Sequence, residues 1–187
     1  MQVEETELPG VLILTPRRFG DDRGFFSEVY NKNTLAQHGI TVEFVQDNHS
    51  LSAQTGTVRG LHFQSPPHAQ DKLVRVGAGR VMDVAVDIRK GSPTYGKWIG
   101  VELSAELGNQ LFIPKGFLHG FSTLVPNCEL LYKCSDVYAP DCDGSVRFDD
   151  PGIGIDWGVD VSNAIISEKD AKAPLLKDFD SPFVFEG

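Results

Sequence analysis

Cysteine is scarce in this chain. Its three copies, Cys128, Cys134 and Cys142, form an odd set with no Cys-x-x-Cys spacing. That excludes a disulfide framework and a four-cysteine zinc site. Long apolar runs are missing too, which removes a membrane-spanning helix. Basic residues are outnumbered: 17 Lys and Arg stand against 26 Asp and Glu, a net charge of −9. Nucleic acid is therefore excluded as a bulk partner, because a phosphate backbone needs a basic face. A small phosphorylated ligand stays open, since a few cations focused in one cleft bind a diphosphate on an acidic protein. The start, Met1-Gln2-Val3-Glu4-Glu5, is acidic and lacks the basic-then-apolar form of a signal peptide. The expectation is a cytoplasmic protein with no membrane partner.

Helical signals are also few. Asn33 to His38 reads as one short helix stopped by Gly39, and Glu168 to Lys172 as a second, capped by Ser167. What remains is mostly short strands and turns. Strands are expected at Val11 to Thr15, Phe25 to Tyr30, Val42 to Gln46, Lys72 to Val76 and Arg80 to Ile88. More are expected at Lys97 to Leu103, Gln110 to Ile113, Gly120 to Leu124 and Glu129 to Asp136. Gly77-Ala78-Gly79 reads as a tight hairpin turn. The Asp- and Gly-rich stretch Asp141 to Gly158 reads as an ordered surface excursion. No low-complexity linker or repeat divides the chain, so residues 1–187 read as a single domain. Short strands at regular spacing point to an all-β fold, and a jelly roll fits best because two packed sheets enclose a cavity.

The densest chemistry lies in Arg59-Gly60-Leu61-His62-Phe63-Gln64, followed by Lys72. This run reads as a strand that places a proton carrier between two cations. Arg59 and His62 are three residues apart and face opposite ways unless Gly60 marks a bulge. A metal site is not expected, because Gln64 stands where a second histidine ligand belongs and no Glu follows nearby. His119, in Ile113-Pro114-Lys115-Gly116-Phe117-Leu118-His119, is placed at the start of a strand, either facing a cavity or exposed on a hairpin. Leu130, Tyr132 and Cys134 share one strand face. Tyr132 is then either a packed ring with its hydroxyl tied off or a proton donor. Asp21-Asp22-Arg23-Gly24 reads as an acidic turn entering an aromatic strand that carries Glu28.

Together these stretches resemble the dTDP-4-dehydrorhamnose 3,5-epimerases of the cupin superfamily, from about Leu8 to Pro174. The resemblance is carried by Asp22 to Glu28, Gln46-Asp47-Asn48-His49-Ser50, Thr57 to Gln64 and Lys72 to Val76. It continues through Asp87-Ile88-Arg89, Gly91 to Gly96, Ile113 to Phe117, His119-Gly120-Phe121, Tyr132-Lys133 and Lys169-Asp170. It implies a cupin-type jelly roll that inverts C3 and C5 of a dTDP-linked 4-keto-6-deoxy sugar. Both carbons adjoin the C4 carbonyl, so loss of either proton gives an enolate. That chemistry needs a base, an oxyanion stabiliser and an acid on the opposite face, with no metal or redox cofactor.

By the same resemblance His62 is the base, Asp170 its orienting carboxylate, Tyr132 the acid and Lys72 the cation for the C4 oxyanion. Arg23, Glu28, Gln46, Asn48, Arg59, His119 and Lys169 would contact nucleotide or sugar. Tyr138 would stack on thymine, and Asp143 stands where relatives can carry a Glu that touches substrate. Arg23 and Glu28 reach a neighbouring subunit's site in the family, which implies a homodimer with exchanged N-terminal strands, about residues 1–30. The competing readings are an epimerase acting at one carbon, a non-catalytic sugar-nucleotide-binding cupin, and a metal-dependent cupin oxygenase. Retention of His62, Tyr132 and Asp170 together argues against the binding module.

Overall fold

The computed structural model describes residues 1–186. It is built almost entirely from two antiparallel sheets. One has six strands, in the order β1 (Gln2–Glu5), β2 (Leu12–Thr15), β10 (Gln110–Ile113), β7 (Lys72–Ala78), β12 (Cys128–Cys134) and β5 (Gln46–Ser52). The other has five, in the order β13 (Asp143–Ser145), β6 (Val58–Gln64), β11 (Phe117–Thr123), β8 (Arg80–Asp87) and β9 (Trp98–Ser104). A separate hairpin pairs β3 (Arg18–Asp21) with β4 (Gly24–Ser27). The helices are short: α1 (Lys32–Ala36) and α2 (Glu168–Ala171). This is the all-β jelly roll expected from the spacing of strands and turns, in the cupin-type form that the resemblance implies. No helix of the described residues is long and apolar enough to cross a membrane.

Alternation along the strands sorts the side chains into layers. Val74, Val76, Leu111, Ile113 and Leu130 from the six-stranded sheet meet Val81, Ala85, Leu103, Phe117 and Phe121 from the other. Those residues fill one end of the space between the sheets. Leu61, Phe63, Val84, Val86 and Leu118 point away from it, into a second core on the outer face of the five-stranded sheet. That outer core is closed by Val146, Phe148, Ile153 and Trp157. The stretch Asp141 to Gly158 is therefore not a surface excursion. Its Asp and Gly residues make the turns, as where Asp150 accepts from the backbone N–H of Gly152 and Leu176, while its large apolar residues cover the sheet.

Other local expectations shift for identifiable reasons. Asn31 caps α1 through its side chain, and Gly39 ends the turn at φ +82°. Gly77-Ala78-Gly79 is not a hairpin turn: β7 and β8 lie in different sheets, and Gly79, at φ +77°, turns the chain from one to the other where a Cβ would lie 2.7 Å from Cys128 Sγ. Val42 to Gln46 is not a strand; β5 begins at Gln46 and runs through the polar residues to Ser52. Val42 and Phe44 instead pack beside α1, with Phe44 edge-on to Tyr30 at 5.8 Å. The aromatic strand is only Gly24–Ser27, and Phe25 and Phe26 are 61% and 70% exposed. His119 lies inside β11, not at its start, and is buried.

Candidate active site

The end of the inter-sheet space that the apolar core leaves open is a cavity of about 820 Å³. One wall is the five-stranded sheet, contributing Arg59, His62, Gln64, His119 and Phe121. The opposite wall is the six-stranded sheet, contributing Gln46, Asn48, Lys72 and Tyr132. Tyr138, Asp143, Lys169 and Asp170 complete the lining. Of the thirteen site residues expected from sequence, eleven thus share one cavity. Arg23 and Glu28 do not. Arg23 is on the exposed β3–β4 turn, bound to Asp21, and Glu28 borders a second hollow of about 360 Å³.

A bulge brings Arg59 and His62 to the same wall. Between the pairs His119–His62 and Phe121–Arg59, β6 advances three residues while β11 advances two. The extra residue is accommodated at Gly60, whose φ is +132°. A Cβ there would sit 2.6 Å from Gly120 Cα and 2.9 Å from the His119 carbonyl oxygen. Only glycine meets both demands. Gly60→Ala is expected to cost about 2–4 kcal/mol of stability, from backbone strain and overpacking together. Urea unfolding of both proteins checks it, and equal midpoints would remove Gly60 from this role.

His62 is half-buried, and its Nε2 lies 2.7 Å from Asp170 Oδ1. Asp170 is buried on α2, where the Ser167 cap orients the turn by accepting the Asp170 N–H at 3.1 Å. Burial pushes the Asp170 carboxyl upward, but the bond and charge of His62, with help from the Gly60 N–H and Ser167, hold it below the usual range. The carboxylate is therefore ionised at neutral pH. A carboxylate only accepts, so His62 donates Nε2–H to it and keeps a lone pair on Nδ1.

A second histidine–carboxylate pair stands beside the first. His119 is the direct strand partner of His62, and its Nε2 lies 2.8 Å from Asp83 Oδ1. Burial pushes His119 down; Asp83 opposes this, while Lys72 and His62 add to it. Asp83 is fully buried, and its Oδ2 has no hydrogen-bond partner among the described residues. Sequence reading overlooked Asp83. The signal was present, since Asp83 shares its strand face with Val81 and Ala85, where a lone acid needs a reason.

Across the cavity, Tyr132 is half-buried, and its hydroxyl makes no hydrogen bond among the described residues. Its ring lies 6.3 Å from that of His119. Burial and the neighbouring Cys134 push Tyr132 up, against the pull of Arg59. It is thus a neutral phenol that holds its proton at neutral pH. Lys72 is buried and pushed down by desolvation, which Cys134, Asp83 and Asp143 partly offset. Arg59 is anchored to Ser52 Oγ at 3.1 Å and the Leu51 carbonyl at 3.3 Å. Lys169 forms an ion pair with Asp143 at the mouth, which raises the lysine. Among the described residues no group of three or more His, Cys, Asp or Glu side chains is placed to hold a metal ion.

A jelly roll with acid–base groups on facing walls, and with cations along the same cavity, belongs to the cupin-type isomerases. The comparisons with known proteins make the assignment specific. The family model described as dTDP-4-dehydrorhamnose 3,5-epimerase matches residues 5–178, and the chain belongs to that family. It is 54% identical to the dTDP-4-dehydrorhamnose 3,5-epimerase of Salmonella typhimurium over 177 residues, covering 94% of this chain and 96% of the relative. The Bacillus anthracis enzyme, solved with TDP and PPi bound, superposes with a TM-score of 0.90 at 50% identity, covering 93% of this chain and 98% of that one. The Legionella pneumophila enzyme, solved in complex with dTDP-4-keto-L-rhamnose, superposes with a TM-score of 0.94 at 44% identity, covering 100% and 99%.

Proposed function

We propose that this chain is an isomerase that epimerises dTDP-4-dehydro-6-deoxy-D-glucose at C3 and C5, giving dTDP-4-dehydro-L-rhamnose. The observation that carries the mechanism is the His62–Asp170 pair on one wall with the free Tyr132 hydroxyl on the other. His62 takes the proton from the carbon next to the C4 ketone. The ionised Asp170 offsets the charge the ring acquires. Lys72 and His119, both buried in the cavity lining, are the groups that would stabilise the charge developing on the enolate oxygen. Tyr132 returns a proton from the opposite face, which inverts the carbon. The decisive experiment is incubation with dTDP-4-keto-6-deoxyglucose in deuterated water, read by NMR. Exchange and inversion at both carbons supports the reading, and inversion at one carbon reduces it to a single-position epimerase.

Arg59, with Lys169 and an incoming Arg23, supplies the charge for the diphosphate. Arg suits phosphate by its forked donors. Arg59→Ala is expected to weaken dTDP binding about 10-fold or more, as loss of a charge-assisted bond does. Calorimetry showing equal affinities would take Arg59 out of the clamp.

The placement of Arg23 and Glu28 away from their own cavity supports a homodimer with exchanged N-terminal strands. The β3–β4 hairpin presents Phe19, Phe25 and Phe26 to solvent, an apolar surface suited to a second copy. Arg23→Ala chains co-assembled with His62→Ala chains should regain activity, because one site in the mixed dimer escapes both lesions. A mixture no more active than its parents would refute the exchange. A cytoplasmic location belongs to the same proposal and is checked by cell fractionation.

A further inference from the structure

The segment that carries Tyr138 has no strand or helix of its own. Residues 137–139 lie between β12 and the short turn at Pro140–Cys142. Each of their backbone N–H groups is taken by a side chain. Asp136 Oδ1 accepts from Val137 at 2.7 Å, Gln46 Oε1 from Tyr138 at 2.8 Å, and Gln64 Oε1 from Ala139 at 2.8 Å. Gln64 also donates its Nε2 to the Val137 carbonyl at 3.1 Å and to the His68 carbonyl at 2.6 Å. Its amide thus grips the chain on both sides of Tyr138, as the peptide of a neighbouring strand would. Gln64 is 4% exposed. Both amide hydrogens are used, so no donor is left for a ligand, although the residue borders the cavity.

We propose that Gln64 is the positioning residue that ties the nucleobase end of the site to the catalytic strand. It sits two residues beyond His62 on β6, so the strand that aims His62 also sets where Tyr138 stands. Tyr138 is 58% exposed. It has little packing of its own to hold it, and its place depends on the backbone frame. This inference rests on the stacking of Tyr138 against the base in the function proposed above.

The test is a double-mutant cycle on Gln64→Met and Tyr138→Ala, with dTDP and pyrophosphate as calorimetric probes. Tyr138→Ala should lower dTDP affinity about 10-fold, in the range of lost base stacking. Gln64→Met should show a similar loss, and the double variant no further loss. Pyrophosphate should bind all four proteins alike. A general packing defect would instead weaken both probes. If Tyr138→Ala leaves dTDP affinity intact, the stacking reading itself is wrong and the inference falls with it. If Tyr138→Ala weakens dTDP binding but Gln64→Met does not, or if the losses multiply, stacking stands and the role of Gln64 is refuted. Gln64→Glu serves if the Met variant does not fold. It keeps the acceptor for Ala139 but turns a carboxylate toward two carbonyls. Burial and the two carbonyls push that carboxyl up, so the variant's dTDP affinity, relative to wild type, should fall as pH rises and the carboxyl loses the hydrogen it can donate. A pH-independent ratio would overturn the proposal.

Discussion

His62→Ala is expected to lower turnover by about 10²–10⁴-fold, the usual worth of a positioned acid or base. The protons on C3 and C5 are acidified only by the adjacent ketone, so removal is slow without a fixed base. No other imidazole in the cavity is free to replace it. His119 is buried, with Asp83 bound to its Nε2. Arg59 and Lys169 are cations, and Lys72 is the proposed partner of the oxygen. The affinity for dTDP should change far less, because the proposed clamp lies elsewhere. One complication has a physical remedy. Removing the imidazole leaves Asp170 buried without its 2.7 Å partner, which costs stability as well as activity. His62→Asn retains a donor near Asp170 without a useful base, so it separates the two losses. Wild-type deuterium exchange in either folded variant would show that His62 is not the base.

Tyr132→Phe should divide proton removal from inversion. The hydroxyl faces the cavity without a partner, so deleting it breaks no hydrogen bond and leaves the ring packed against Leu130 and its neighbours. Stability should therefore change by less than about 1 kcal/mol. The base on the five-stranded sheet still removes protons and returns them to the face they left. Such return gives deuterium exchange with retained configuration. The variant should wash deuterium into the substrate at a reduced rate and form inverted product about 10²-fold more slowly or worse, most clearly at C5. Should it make the doubly inverted sugar at the wild-type rate, Tyr132 is a packing residue only.

How much of this was legible beforehand follows from what kind of interaction placed each residue. The common face of Leu130, Tyr132 and Cys134 follows from the two-residue period of a strand, which is local. So does the short helix read at Asn33 to His38 and stopped by Gly39, whereas the turn at Gly79 joins two different sheets, which no local signal distinguishes from a hairpin. Val42 to Gln46 misled because alternation of apolar residues signals burial, and burial of Val42 and Phe44 beside α1 satisfies it without a ladder. The Asp141 to Gly158 stretch misled in the other direction. Its acidic turns dominate the composition, but Val146, Phe148, Ile153 and Trp157 decide where it packs.

By itself, the sequence determined an acidic all-β chain, with a period-two core, short capped turns and the residue types for enolate chemistry on a phosphorylated ligand. Only the tertiary structure decided which of those residues meet. The β6 bulge at Gly60 turned Arg59 toward the wall of His62. The docking of α2 brought Asp170 108 residues along the chain to His62, and the stacking of two sheets set Tyr132 opposite. The reason is that side-chain direction along a strand is a local property of the backbone. Register, bulge position and the facing of two sheets are set by contacts between segments far apart in sequence, where a shift of one residue turns every side chain to the other face.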